Sequence, residues 1–182
     1  MSAWKTLSTR IAYQNPFMLV HEDQTLNPAG KPAIYGYCES TENSVYIAVV
    51  DSKDHMYLVE QFRYPLKRNS WEVVAGRIPH DEDITEGARR ELLEETGFEA
   101  KELVRLGELT SWPGITAFTS TIFLARGLRK VSEDLDEADG ITDLKRFSFE
   151  EVEKMIRTGK IQCAMSISTF YLAKTYLEEH RV

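Results

Sequence analysis

The segment "RRELLEETG", residues 89–97, places three carboxylates, Glu91, Glu94 and Glu95, within little more than one helical turn. Like charges three or four residues apart on a helix repel each other, by roughly 0.2–0.5 kcal/mol per pair. A hard divalent cation relieves this repulsion, and Mg²⁺ prefers carboxylate and carbonyl oxygens while it keeps several of its waters. A hydrated Mg²⁺ can bind phosphate oxygens and activate a water, so the spacing suggests phosphate chemistry.

The helix that carries these carboxylates has clear start and stop signals. Asp83 followed by Glu86 resembles a capping box, and Gly97 is a natural helix end. The pattern therefore predicts a helix over residues 84–96.

The faces of this helix follow from a turn of about 100° per residue. Ile84, Ala88 and Leu92 form an apolar stripe. Glu91 and Glu95 fall on this stripe or at its edge, and Glu94 lies just outside it. Arg90 belongs to the outer face, where it can pair with Glu86 and Glu94. Two carboxylates thus point toward the protein body, where an unpaired charge is costly. The alternative, a solvated acidic face, fits this pattern less well.

Length and composition set the frame for this helix. The chain has 182 residues and a net charge of -7, which suits one domain, or a domain with a small extension, and disfavours broad attraction to nucleic acid or anionic membranes. Its two cysteines, Cys38 and Cys163, form no zinc signature and no disulfide framework. We find no signal-peptide pattern and no apolar run of transmembrane length, so we expect a cytoplasmic protein.

The remaining elements are mostly strands. Several are separated by short turns, and two helices close the chain after a second capping box, Ser148 with Glu151. Strands mixed with helices predict an α/β or α+β fold with a mixed sheet. The predicted strands are "TLSTRIAY", "FMLVHEDQTL", "AIYGYCES", "SVYIAVVD", "HMYLVEQF", "SWEVVAG", "ELVRLGEL", "TSTIFLARGL" and "ITDLKRFS"; the closing helices end at Gly159 and near His180.

The run "GRIPHDEDITEGARRELLEETGF", from Gly76 to Phe98, resembles the box of the Nudix hydrolase family. Five residues separate Gly76 from Glu82, seven separate Glu82 from Arg90, and the positions that follow are in register. Many residue types at fixed spacing make this a specific signal. The flanking strands and closing helices are similar to the Nudix fold, so the resemblance covers most of the chain.

The resemblance implies a loop–helix–loop that holds Mg²⁺, with Mn²⁺ as a substitute, and hydrolyses a nucleoside diphosphate linked to another moiety. Glu91 and Glu95 would be metal ligands, together with the carbonyl oxygen of Ala75. Glu94 would be an accessory ligand or hold the catalytic water network. The residues that would brace the motif are Gly76, Glu82, Arg90 and Gly97.

Residues outside the box bear on the substrate. "VEQFRYP" and "WEVVAG" look like the ADP-ribose and nucleotide-sugar branch of the family, in which Arg63 would bind the diphosphate; the alternative is an ordinary arginine at a strand end. Pro113 falls where that branch carries a proline near the substrate, and the alternative is a plain turn proline.

The acidic loop "LDEADGIT" resembles the loop that supplies the general base in this branch. On that resemblance Glu137 would orient and deprotonate the attacking water, and Asp139 would be a supporting metal ligand. Asp136 and Asp139 remain alternatives for the base, and a solvated acidic turn remains the alternative for the loop.

We therefore expect a Nudix fold, in which a mixed sheet lies between helices. Residues 1–42 would be a small N-terminal β region that helps to form a homodimer, and residues 43–182 the hydrolase domain. The expected reaction is Mg²⁺-dependent hydrolysis of a nucleoside diphosphate sugar, first ADP-ribose to AMP and ribose 5-phosphate. The alternative substrates are GDP-mannose or another nucleotide sugar, and after these dinucleoside polyphosphates or nucleoside triphosphates. The remaining alternative is a nucleotide sensor that binds without turnover.

Overall fold

Two units make up the chain, and the computed structural model describes residues 3–133 and 139–180. Unit 1 consists of Met1–Asn43 and Thr110–Thr119, and unit 2 of Ser44–Leu109 and Ser120–Val182. No helix among the described residues has the length and apolar character that a membrane crossing requires.

Unit 1 is an antiparallel sheet of three strands, β1 (Lys5–Asn15), β2 (Met18–Leu26) and β3 (Pro32–Ser40). Asparagines shape both turns. The side chain of Asn15 accepts hydrogen bonds from the backbone N–H groups of Phe17 and Met18. In the second turn, the side chain of Asn27 accepts them from the N–H groups of Ala29 and Lys31. The segment after residue 110 pairs with β3, where the backbone N–H of Cys38 donates to the carbonyl of Ile115 over 2.9 Å.

Unit 2 carries a seven-stranded mixed sheet. Five strands run in the order β10-β5-β4-β9-β8, while β6 pairs with β5 and β7 with β4. The central pair β4–β9 is parallel, whereas β5 is antiparallel to both β4 and β10. The strands are β4 (Asn43–Val50), β5 (His55–Arg63), β6 (Arg68–Glu72), β7 (Val74–Ile78), β8 (Phe98–Thr110), β9 (Thr119–Lys130) and β10 (Ile141–Ser148).

Among the described residues, three α-helices cover the two faces of this sheet. They are α1 (Ile84–Thr96), α2 (Phe149–Arg157) and α3 (Ala164–Glu179). Alternate residues of a strand point to opposite faces, and β4 follows this rule. Its residues Val45, Ile47 and Val49 pack in one cluster with Ala88 and Leu92 of α1.

The next residues of β4 face the other way. Ala48 and Val50 pack in a second cluster with Val152 of α2 and with Phe170 and Ala173 of α3. The sheet therefore lies between α1 on one side and α2 with α3 on the other, which confirms the predicted fold class.

Most predicted elements are present, with differences of up to a few residues at some ends; β8, for example, begins at Phe98, four residues before the predicted strand "ELVRLGEL". The predicted strand "SWEVVAG" is divided at Val73 between β6 and β7, and β7 continues to Ile78, into residues predicted as loop. Helix α2 ends at Arg157 with Thr158 as its cap, and Gly159 follows with φ of 71°, the left-handed conformation that stops the helix at the glycine that the sequence indicated.

Candidate active site

Helix α1 begins and ends where its sequence signals predict. The carboxylate of Asp83 accepts hydrogen bonds from the backbone N–H groups of Thr85, over 2.9 Å, and Glu86, over 3.1 Å. Gly97 ends the helix with φ of 65°, a left-handed conformation that glycine adopts without a Cβ clash. These two caps fix the ends of the helix, and the packing of Ala88 and Leu92 in the core turns Glu91 and Glu95 inward.

The glutamates of α1 differ in burial. Glu91 and Glu95 are 7% and 2% exposed, whereas Glu94 lies at the surface. This confirms the helical-wheel prediction that two carboxylates point inward. Leu92, which follows Glu91 in sequence, is buried as well. Burial of a leucine stabilises the fold by roughly 1.5–3 kcal/mol. This exceeds the roughly 0.2–0.5 kcal/mol by which two glutamates on one helix repel each other.

The backbone in the middle of β7 lies against both buried carboxylates. A Cβ added to Gly76 would lie 2.0 Å from Cδ and 2.2 Å from Oε2 of Glu91. The backbone N–H of Ala75 donates to Oε2 of Glu95 over 3.4 Å. The structure thus brings Ala75, Gly76, Glu91 and Glu95 together.

Arg90 joins the loop before α1 to the helix. Its guanidinium donates two hydrogen bonds to Glu82, of 3.1 and 2.9 Å, and one each to Glu91 and Glu94, both of 2.9 Å. The bond to Glu94 was predicted. The predicted pairing of Arg90 with Glu86 is wrong: the guanidinium turns toward the loop, and Glu86 lies 3.9 Å from Arg89 instead.

The charges in this network change the proton affinities of its members. The hydrogen bonds from Arg90 hold the pKa of Glu82 below its ordinary value. The carboxylates of Glu82, Glu91 and Glu94 in turn raise the pKa of Arg90. Burial raises the pKa of Glu91, although the positive charge of Arg90 opposes the shift. Burial also raises the pKa of Glu95 to about 8, with a further contribution from the charge of Glu91. Burial therefore disfavours the anionic form of both carboxylates, and Arg90 at Glu91 and Arg63 at Glu95 offset this only in part.

Asp139 belongs to the same electrostatic neighbourhood. Its negative charge adds to the raised pKa of both Glu91 and Glu95. The amide of Gln61, which is 7% exposed, donates to the backbone carbonyl of Asp139 over 2.7 Å and holds this end of the acidic loop. Glu137, together with Asp136, lies outside the described residues.

Arg63 is paired inside unit 2. Its Nε and Nη2 donate to the two carboxylate oxygens of Glu72 over 3.0 and 2.8 Å, and Glu72 is 3% exposed. The positive charge of Arg63 also lowers the pKa of Glu95 against the effect of burial. Arg63 thus lies near the acidic pair, held in a fixed orientation by a two-point contact.

Pro113 belongs to unit 1, in the exposed loop between β8 and β9. The preceding Trp112 has φ of 49° and is 70% exposed. The role of Pro113 in substrate binding stays a prediction.

Three residues of the site had no role in the sequence analysis. They are Glu72, Gln61 and Gly87. A Cβ on Gly87 would lie 2.6 Å from Cδ1 of Ile78 and 3.2 Å from Cδ of Glu82, so this glycine lets α1 approach β7 closely. A glycine inside a helix costs about 1 kcal/mol relative to alanine, and its presence near the start of α1 was the signal for close packing. For Glu72 the signal was a charge inside the apolar run "WEVVA".

The donor set around Glu91 and Glu95 fits a hard divalent cation. Two buried carboxylates and the adjacent backbone offer oxygen ligands of the kind that Mg²⁺ prefers. Among residues 3–133 and 139–180, no group of three or more His, Cys, Asp and Glu side chains is placed to hold an ion by itself. Mg²⁺ keeps several waters and needs only one or two protein carboxylates, so a two-carboxylate set satisfies it.

Comparisons with known protein families identify both parts of the chain. The family model described as "NUDIX domain" matches residues 41–164, which is more than half of the chain. The model described as "Nucleoside diphosphate sugar hydrolase N-terminal domain" matches residues 4–37.

Individual proteins give the same picture. A protein of Bacillus subtilis (strain 168) named ADP-ribose pyrophosphatase is 31% identical over 65% of this chain, and the match spans 64% of that relative, slightly less than two thirds of its length. A Mycobacterium tuberculosis protein of the same name is 27% identical over 91% of this chain and 80% of its own length. A solved structure titled "Crystal structure of ADP compounds hydrolase" superposes with a TM-score of 0.85 over 98% of this chain and 97% of that one, at 22% identity, and shares the fold.

Proposed function

This chain belongs to the Nudix family, and on that premise we propose that it hydrolyses the pyrophosphate bond of nucleoside diphosphate sugars. ADP-ribose is the favoured substrate, with AMP and ribose 5-phosphate as products. The relatives named ADP-ribose pyrophosphatase and the match to the N-terminal domain of nucleoside diphosphate sugar hydrolases support this substrate class.

One observation carries the proposal. Two buried glutamates, Glu91 and Glu95, lie side by side against the backbone of Ala75 and Gly76, and burial makes both poor anions unless a cation joins them. Such a site suits Mg²⁺, with Mn²⁺ as a substitute. The bound ion would supply Lewis acidity toward phosphate oxygens and toward a water nucleophile.

The chain's own residues then have separate tasks. Glu91, Glu95 and the carbonyl oxygen of Ala75 would hold the ion, with Asp139 in support. Arg63, already oriented by Glu72, would bind the phosphate oxygens on which charge accumulates during hydrolysis. Glu94 would hold the water network beside the ion, since its carboxylate lies at the surface of α1.

Proton transfer and rigidity complete the assignment. Glu137 would accept the proton of the attacking water as general base. Arg90 and Glu82 would keep the box loop fixed on α1 through the bonds that join them. The capping glycine Gly97 and the cradle at Gly76 would keep the helix in register with β7.

We also propose a homodimer formed through unit 1. Apolar side chains of its strands are open to solvent in the single chain: Leu7 is 56%, Ile11 51% and Ile34 65% exposed. Several large apolar side chains open to solvent on one small sheet favour an interaction surface. A cytoplasmic location is part of the same proposal.

The first experiment is an incubation of the purified protein with ADP-ribose and Mg²⁺, with products identified by chromatography. AMP and ribose 5-phosphate should appear, and EDTA should abolish them. The Glu95→Gln variant should be inactive under the same conditions, because it cannot supply the anionic ligand.

Other outcomes would change the proposal in defined ways. Metal-dependent turnover of GDP-mannose but not ADP-ribose would keep the mechanism and replace the preferred substrate. Release of inorganic pyrophosphate from nucleoside triphosphates would contradict the sugar class. Saturable nucleotide binding without any metal-dependent product would indicate a sensor.

A further inference from the structure

A cavity lies on the opposite side of the sheet from α1, between β6, β10 and α2. Its volume is about 470 Å³, within the range of small-molecule sites. Trp71 and Phe147 form an aromatic wall, with ring centroids 5.3 Å apart and planes at 81°, and Met155, 8% exposed, lines it as well. None of these residues belongs to the acidic helix.

Three lysines border this cavity, Lys145, Lys154 and Lys160. The ammonium of Lys145 lies 5.3 Å from the centroid of the Trp71 ring and also pairs with Asp143. Within the described part of the chain, no carboxylate lies at ion-pair distance from Lys154 or Lys160. This concentration of positive charge stands out in a chain whose net charge is -7.

The one carboxylate that lines the cavity is already used. Glu151 accepts a hydrogen bond of 2.7 Å from the backbone N–H of Ser148 and closes the capping box of α2. The C-terminus of α2 carries about half a negative charge, which one lysine would offset. Asp143 already pairs with Lys145, so the ammonium groups left are those of Lys154 and Lys160, and together they exceed the charge of Glu151 and the partial charge of the helix end.

We propose that this cavity binds a nucleoside 5′-monophosphate, at a site distinct from the acidic helix. The flat base would stack on Trp71, since stacking of a base on an aromatic side chain contributes about 1–3 kcal/mol. The phosphate would lie between Lys154 and Lys160. Aromatic wall and cationic rim together require a ligand with both a ring and an anionic group, so neither adenosine nor inorganic phosphate alone would satisfy the site.

Tryptophan fluorescence can report this binding directly. The chain has three tryptophans, so the double substitution Trp4→Phe/Trp112→Phe leaves Trp71 as the only one, and both replaced residues lie in unit 1. AMP titrated into this protein in EDTA should quench the emission of Trp71 in a saturable manner. Adenosine and inorganic phosphate should each bind about tenfold more weakly or worse.

Charge reversal locates the site. Lys154→Glu/Lys160→Glu should raise the Kd for AMP by about tenfold or more. Lys53→Glu/Lys101→Glu makes the same change of charge at exposed positions of unit 2 outside the cavity and should leave the Kd unchanged. All four lysines are exposed, and melting curves should show that both variants stay folded.

Three results would overturn the proposal. They are the absence of saturable quenching by AMP, an equal loss of affinity in both double variants, and a loss of quenching in Arg63→Lys, which would place AMP at the acidic helix. Because the assay runs without Mg²⁺ and without turnover, it stands or falls separately from the proposed hydrolysis.

Discussion

Glu91 occupies the space that a side chain on Gly76 would need. The hypothetical Cβ lies 2.0 Å from Cδ of Glu91 and 2.3 Å from its Cγ, far inside van der Waals contact. The glycine in the middle of β7 and the glutamate in the third turn of α1 are therefore one structural unit, although fourteen residues lie between them.

The first prediction concerns this contact. Gly76→Ala should displace the carboxylate of Glu91 and lower kcat/KM by about two orders of magnitude, because misplacement of a catalytic group by about 1 Å costs about that much. Gly36→Ala is the matched control, since its Cβ would meet only the carbonyl of His21 at 3.8 Å. An unchanged rate in Gly76→Ala would mean that Glu91 does not act in the position seen here.

The second prediction separates the glutamates of α1 by burial. Glu91→Gln and Glu95→Gln should each lower kcat by about 10²-fold or more and weaken Mg²⁺ binding measured by calorimetry, since each removes an anionic ligand. Glu86→Gln changes the same helix at a side chain that is 72% exposed and should behave as wild type. Equal effects of all three substitutions would indicate a general loss of helix stability instead.

The third prediction concerns pH. Burial raises the pKa of Glu95 to about 8 from an ordinary value of 4.5, so the folded metal-free protein holds a proton that the unfolded chain releases. The contribution of Glu95 to stability therefore falls with rising pH: it is fully present below 4.5 and is lost above about 8. Denaturant unfolding in EDTA should show this decline, and Glu95→Gln should flatten it.

The fourth prediction follows from the same proton. Mg²⁺ binds the ionised carboxylate, so binding near pH 7 should release a proton from Glu95. Calorimetric titration in two buffers of different ionisation enthalpy measures this release. The Glu95→Gln variant should release less, and equal proton release from both proteins would contradict the assignment of Glu95 as the titrating group.

The fifth prediction concerns the pair of Arg63 and Glu72. Arg63→Ala leaves the nearly buried Glu72 without its partner and should lower the free energy of unfolding by up to about 3 kcal/mol, the lower end for buried pairs, because the side chain of Arg63 is 34% exposed. The double variant Arg63→Met/Glu72→Gln should regain stability but not activity. If it regained activity as well, Arg63 would be a structural residue only.

Local signals were enough to predict the elements that hold the site. Asp83 and Gly97 bound α1 because a cap depends on backbone groups within a few residues. The inward direction of Glu91 and Glu95 also followed from sequence, since the helical period fixes the face.

Contacts between distant segments could not be predicted in the same way. Arg90 reaches Glu82 rather than Glu86 because the loop before α1 folds back over the helix, and periodicity carries no information about loops. The partner of Arg63 is Glu72, which comes close only once β5 and β6 are paired. Gly76 was identified through the family motif alone, because no local pattern reveals which side chain occupies its missing Cβ.

The alternation along β4 divides the interior into two separately adjustable compartments. Val45, Ile47 and Val49 support the acidic helix, whereas Ala48 and Val50 belong to the layer of α2 and α3. Substitutions in the part of the second compartment that packs α3, away from Trp71 and Met155, do not change the side chains of the first, so that part has room to drift over evolutionary time. The packing around α3 could therefore be redesigned for higher thermal stability without moving the residues of the candidate active site.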